Sequence, residues 1–421
     1  MSQTFRIAMI HYAGPPAVGG VESTIYHHAR LLAARGHRVT VIAGRFGEHT
    51  GEDYLPGVTF HCVPPIDSRH PAVEAVNRAL AQGDAGEPFN RLRDELAAAL
   101  RPLLQECEVV LAHNVMTLHK NLALTAALHD LARRGEVRLI AWAHDFAWQD
   151  PLYTPDLHPG YPWDLLKQPW PNTAYVAVSE HRRGLLAQML GLPVEQIGVA
   201  TPGVDAVEFL DLQSTTRRLT DQLGLLAAEP LALLPARLTR RKNVEFALRV
   251  MAALRARRPA AALVITGPPG PHNPANAAYL ASLQALRADL QMEGAVHFLY
   301  ELGEGGEPLL LSDQEVAELY RLADLLLFPS RMEGFGIPVL EAGLARLPVF
   351  AADIPPVRES AADLAVRFDP EGDPETVAAA IDEFLHGDTA YRLKRRVLER
   401  FTWDAIIDRV VLPVIEARVQ P

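Results

Sequence analysis

The stretch from Ile7 to Ala43, IAMIHYAGPPAVGGVESTIYHHARLLAARGHRVTVIA, carries its structural signals in the order strand, loop, helix, strand. Ile7 to His11 is a short apolar run of strand length, and the breaker cluster Gly14-Pro15-Pro16-Ala17-Val18-Gly19-Gly20 follows it. Val21 to Ala34 places apolar residues at helical spacing until Gly36 stops it, and Val39 to Ala43 is a second apolar run. Two such strands joined through a helix lie parallel, because the crossover returns the chain to the same end of the sheet.

Working outward, the alternation recurs at Val109 to Ala112, Leu139 to Ala143 and Tyr175 to Val178, each a brief apolar run followed by a helix-like segment. After Thr201-Pro202-Gly203-Val204-Asp205 it restarts, with strands expected at Leu231 to Pro235, Ala262 to Gly267, Val296 to Leu299, Leu325 to Pro329 and Pro348 to Ala351. The fold class is therefore α/β, with two Rossmann-like, doubly wound domains facing across a cleft. Residues 1–205 and 206–395 form the two domains, and residues 396–421 a terminal helical segment. Ligands of such sheets sit at the carboxyl ends of the strands.

The chain has 421 residues, 49% hydrophobic and 22% charged, enough to bury two cores. A formal charge of −11 provides no general attraction for nucleic acid or anionic lipid, so an anion needs a local cluster. Cys62 and Cys107 give neither a disulfide framework nor zinc spacing, and neither a signal peptide nor a spanning helix is evident. The expected location is cytoplasmic, with peripheral membrane contact open. The sequence leaves the oligomeric state undetermined.

Three features point to a phosphate-bearing ligand. Gly19 and Gly20 immediately precede a helix, where free N–H groups and the helix dipole favour an anion, although a plain tight turn fits too. Ala236-Arg237-Leu238-Thr239-Arg240-Arg241-Lys242-Asn243 concentrates four cations after a strand; it could neutralise a diphosphate or be a solvated turn. Ser330 to Gly343, SRMEGFGIPVLEAG, puts Glu333 ahead of Gly334-Phe335-Gly336 and Glu341 among Val339, Leu340, Ala342 and Leu344. Pro338 suits a first helical turn. Such neighbours predict that Glu341 is desolvated, partnered either by ligand hydroxyls or by an internal Arg. If the segment is mostly helical, the two acids stand roughly 10–12 Å apart, a span that grips sugar rings on both sides of a diphosphate.

Glu333 to Glu341 resembles the E-x7-E spacing of retaining glycosyltransferases of GT-B architecture, and the surrounding segment resembles the donor-binding signature of their family 4. Gly19-Gly20-Val21-Glu22, Gly36-His37-Arg38-Val39, Pro202-Gly203-Val204-Asp205, Ala236-Arg237-Leu238, Lys242-Asn243 and Phe401-Thr402-Trp403 extend the resemblance over nearly the whole chain. It implies that residues 1–205 bind acceptor, 206–395 bind nucleotide sugar, and a C-terminal helix returns to the first domain. It implies that Glu341 holds the ribose hydroxyls, Glu333 the transferred sugar, and Arg237 with Lys242 the diphosphate. Amides of Gly334, Phe335 and Gly336 and the Gly19-Gly20 loop complete that cradle, and His144 contacts the donor sugar near the reacting carbon. Without the resemblance, His144 and the neighbouring Asp145 read equally as structural residues.

The expected activity is a retaining, metal-independent transfer of a hexose, from UDP-glucose or GDP-mannose, to a small-molecule, glycan or lipid-linked hydroxyl acceptor. No Asp-x-Asp is present and no cofactor is expected, since the nucleotide sugar is a substrate. A GT-B nucleotide-sugar 2-epimerase and a non-catalytic nucleotide-sugar-binding protein are the alternatives. Ser68 to Glu87 and Gly267 to Ala278 match nothing in the family pattern.

Overall fold

The computed structural model describes residues 3–17, 19–48, 51, 53–270, 275–303 and 307–419. Val18 of the glycine loop, residues 271–274 of the unmatched second-domain stretch and both extreme termini lie outside the described residues. The chain forms two compact units, Met1–Val204 with Arg400–Pro421, and Asp205–Glu399.

The first unit holds seven parallel strands: β1 (Arg6–His11), β2 (Arg38–Ala43), β3 (Val58–Cys62), β4 (Val109–His113), β5 (Leu139–Ala143), β6 (Thr173–Ala177) and β7 (Ile197–Val199), in the order β3-β2-β1-β4-β5-β6-β7. Side chains alternate across the sheet, so β1 feeds both layers of core. Ile7 and Met9 pack with Ile25, Ala29 and Leu32 of the helix Gly20–Ala34. Ala8 and Ile10 point the other way, into the layer built by the helices Glu87–Leu104 and Leu122–Arg133. Burial on both faces explains why the central strands read as unbroken apolar runs.

The C-terminal segment closes the first of these layers. Trp403, Ile406, Ile407, Val411 and Ile415 are buried with Ile7, Met9 and Ile25. Gly203 lets this segment approach: a Cβ there would lie 2.9 Å from the backbone nitrogen of Trp403.

The second unit has β8 (Leu231–Leu234), β9 (Ala262–Ile265), β10 (Val296–Phe298), β11 (Leu325–Phe328), β12 (Val349–Ala352) and β13 (Val366–Phe368), all parallel, ordered β10-β9-β8-β11-β12-β13. Its sheet also separates two cores, one containing Leu234, Ile265 and Leu327, the other Leu233, Val264 and Phe328. Among the described residues no helix is long and apolar enough to cross a membrane.

Candidate functional site

In the second unit β8 and β11 are neighbours, so the loops leaving their carboxyl ends run side by side, joined by Arg331 N donating to Arg241 O at 2.8 Å. The loop after β8 tightens into one 3-10 turn, Arg240–Lys242, and Asn243 at φ 53° turns it into the helix Val244–Arg257. This geometry aims Lys242 inward. Its Nζ donates to Glu333 Oε1 at 2.6 Å and lies 5.3 Å from the Phe328 ring centroid. Arg241 Nη1 reaches Glu333 Oε2 and Met332 O, each at 3.2 Å. Glu333 is thus held between two cations.

The Lys242 and Glu333 side chains are only 10% and 7% exposed. Removing one member of such a buried pair strands the other charge and costs roughly 3–5 kcal/mol. Arg237, from the same loop, is exposed and makes no hydrogen bond or ion pair among the described residues. Arg331 is anchored differently, to Glu245 Oε1 at 2.9 Å and to Glu371.

Glu333 lies in the loop before the helix Ile337–Leu344, so the helical rise does not set its separation from Glu341. Gly336 is the N-cap at φ 95°, a left-handed conformation that strains residues with a side chain, and no side chain caps this helix. Gly334 and Phe335 are exposed beside it, and Pro338 falls in the first turn as expected.

Glu341 corrects the expectation of a desolvated acid. It is exposed, because its apolar neighbours Ile337, Leu340 and Leu344 are themselves on the surface; only Val339 and Ala342 enter the core. Its Oε2 accepts a 2.6 Å hydrogen bond from Tyr320 OH. The two residues line a groove between the helices Asp313–Leu322 and Ile337–Leu344. No Arg pairs with it among the described residues. Tyr320 carries no cue in the sequence, since its position 21 residues before Glu341 follows no short spacing rule.

The first unit contributes Gly19, Gly20 and His144. Gly20 opens its helix, Gly19 is an extended N-cap, and no side chain caps the first turn. His144 follows β5 directly, and its backbone N–H is fixed by Asn114 Oδ1 at 2.8 Å, as is that of Asp145 at 3.1 Å. Asn114, in the left-handed region at φ 59°, is the residue after β4. Its place behind an apolar run ending in His113 was the one sequence cue to it.

His144 Nε2 lies 3.4 Å from His113 Nδ1. His113 and His28 are fully buried, His11 nearly so, and His11 Nδ1 contacts His113 O at 2.8 Å. Burial lowers the pKa of His144 to about 4 against the opposing pull of Asp145, and those of His11 and His28 to about 3. At neutral pH His144 is an uncharged imidazole, able to donate at one nitrogen and accept at the other. Among the described residues no group of three His, Cys, Asp or Glu side chains is arranged to hold a metal ion.

Gly19, Gly20 and His144 therefore belong to one unit and Arg237, Lys242, Glu333, Gly334, Phe335, Gly336 and Glu341 to the other. Within the second, the structure joins Lys242 to Glu333 and leaves Glu341 with Tyr320.

Two family descriptions match the chain: Glycosyltransferase Family 4 over residues 18–208 and Glycosyl transferases group 1 over residues 216–400. The mannosylglucosylglycerate synthase of Thermotoga maritima is 24% identical over 83% of this chain and 83% of its own length. A D-inositol 3-phosphate glycosyltransferase of Segniliparus rotundus is 25% identical, over 94% of this chain and 84% of its own. An uncharacterized glycosyltransferase of Methanocaldococcus jannaschii is 24% identical over 96% and 97%. With two doubly wound parallel-sheet units matched one by one to the two halves of that family, the chain belongs to the family 4 glycosyltransferases of GT-B architecture and uses a nucleotide-sugar donor.

Proposed function

We propose that this glycosyltransferase moves a hexose from UDP-glucose or GDP-mannose to a hydroxyl of a small-molecule, glycan or lipid-linked acceptor, with retention at the anomeric carbon and without a divalent metal or other cofactor. The first unit takes the acceptor and the second the donor. The observation that carries the reading is the basic loop after β8, where Arg237 is exposed, with no partner among the described residues, and Lys242 is held against Glu333. A departing nucleoside diphosphate develops charge that Arg237 and Lys242 can meet without a metal, as preorganised charge in a partly dry site. The uncapped helix starts after Gly19 and Gly336 add backbone N–H donors for the same charge.

Glu333 orients the hydroxyls of the transferred sugar, and Glu341 with Tyr320 those of the ribose. Neutral His144 hydrogen-bonds the sugar near its reacting carbon. In front-face transfer the bond from the anomeric carbon to phosphate breaks, the bond to the acceptor oxygen forms on the same face, and the acceptor proton passes to the leaving phosphate oxygen. The mannosyl product in the Thermotoga relative's name and the inositol phosphate in the Segniliparus relative's name favour a hexose donor and a polyol acceptor here.

The test is transfer from each donor to a panel of polyol acceptors in excess EDTA, with the new linkage read by proton NMR. Product with the α configuration of the donor is expected. A β product, or turnover restored only by magnesium or manganese, overturns the reading.

A further inference from the structure

The segment after β3 that matched nothing in the family pattern forms one wall of a cavity of about 320 Å³ in the first unit. Ser68 and Asn77 line it from this segment, His119 and Lys120 from the loop after β4, and Asp156 and Trp163 from the loop after β5. All three loops leave the carboxyl ends of parallel strands, the sheet edge that also carries His144 and where ligands of doubly wound sheets bind. Backbone and side-chain bonds fix these walls: Asn77 Nδ2 donates to Lys120 O at 2.8 Å, Asn121 Nδ2 to Pro65 O at 2.9 Å, and Trp148 Nε1 to Trp163 O at 3.2 Å.

The polar groups at this cavity are only partly satisfied. Trp163, 3% exposed, is a wall residue whose ring meets His158 edge-on with centroids 5.1 Å apart, and its indole nitrogen is sealed from solvent. Lys120 is exposed, and its ammonium makes no hydrogen bond or ion pair among the described residues. Among the described residues the one side-chain partner of the Asp156 carboxylate is His119 Nε2, at 3.9 Å, and burial lowers the pKa of that histidine, so the carboxylate stays available to hydroxyl donors. A single lysine and a single carboxylate among the lining residues do not match a diphosphate. They match one anionic group attached to a small polyol, and the volume suits about one sugar ring.

We propose that this cavity is the acceptor subsite and that it selects a compact polyol bearing a single carboxylate or phosphate monoester, with Lys120 taking the anion and Asp156 and Ser68 taking hydroxyls. The inference rests on the transferase reading and adds the class of acceptor to it.

Titration calorimetry of the full chain with glucose, glucuronate and glucose 6-phosphate tests it, the last two separating carboxylate from phosphate. At least one anionic ring binds about tenfold more tightly than glucose, as expected for one charge-assisted contact. Lys120→Gln abolishes that preference, and Asp156→Ala, which removes the carboxylate, weakens binding of the preferred ring several-fold. Equal binding of neutral and anionic rings, no binding of any, or a preference that survives Lys120→Gln overturns the subsite. Parallel titration of the unmodified protein with UDP and GDP separates the failures. Nucleotide binding without anionic preference defeats the subsite alone, and loss of nucleotide binding defeats the transferase reading.

Discussion

Arg237 and Lys242 leave the same strand end in opposite electrostatic situations, and their substitutions should separate accordingly. Lys242 is nearly dry and bonded to Glu333, so Lys242→Ala leaves a buried carboxylate with Arg241 as its remaining cation. It should lower stability by about 3 kcal/mol and lower activity as well. Arg237 is exposed and makes no hydrogen bond or ion pair among the described residues, so Arg237→Ala should leave the urea midpoint in place. On the proposed role its rate falls by roughly 10²–10³, the usual loss when one charge-stabilising donor is removed. Measuring kcat/KM and the urea midpoint for both variants checks the contrast. Near-normal turnover of Arg237→Ala makes the basic loop a solvated turn.

Among the elements, the C-terminal segment shows how one side chain ties a distant stretch to a sheet. Trp403 is buried against the first unit's core, stacking on His27 with ring centroids 4.7 Å apart and meeting His28 edge-on at 5.7 Å. Trp403→Ala should cost roughly 3–5 kcal/mol, the usual price of emptying an aromatic site in a core, read as a lower urea midpoint of the first unit. An unchanged midpoint contradicts that packing. The central strands were legible because burial on both faces makes them continuous apolar runs. Three edge strands, β3, β7 and β13, were not. Each pairs on one side only, and sequences such as VTFHC and VRF carry exposed and half-buried positions where a central strand is buried throughout. The environment of Glu341 was misread for a related reason. A one-turn apolar periodicity cannot tell a helix packed all round from one whose Ile337, Leu340 and Leu344 lie on the surface. The Lys242–Glu333 bond is not legible in the sequence, because spacing says nothing of a pairing across 91 residues.

Across the molecule the titrating burden is lopsided. Burial lowers the pKa of His11, His28, His37, His113, His119, His129 and His144 in the first unit, whereas in the second, among the described residues, only His297 is so placed. A histidine neutral in the fold and free to protonate near pH 6.5 when unfolded binds more protons in the unfolded chain, so stability falls as pH drops. The contribution is complete above about pH 6.5 and erodes below it. For His11 and His28 the loss continues to about pH 3. At pH 5 each of these two costs the fold about 2 kcal/mol. His144, Lys120 and Arg45 raise the cost of charging His11, and His144 and His27 do so for His28. Hydrogen exchange at pH 7.5 and 5, corrected for intrinsic rates, should therefore show amides of β1, β4 and β5 losing more protection than those of β8, β9 and β11. Equal losses in the two sheets would mean that these imidazoles reach solvent or partners easily enough to protonate within the native fold.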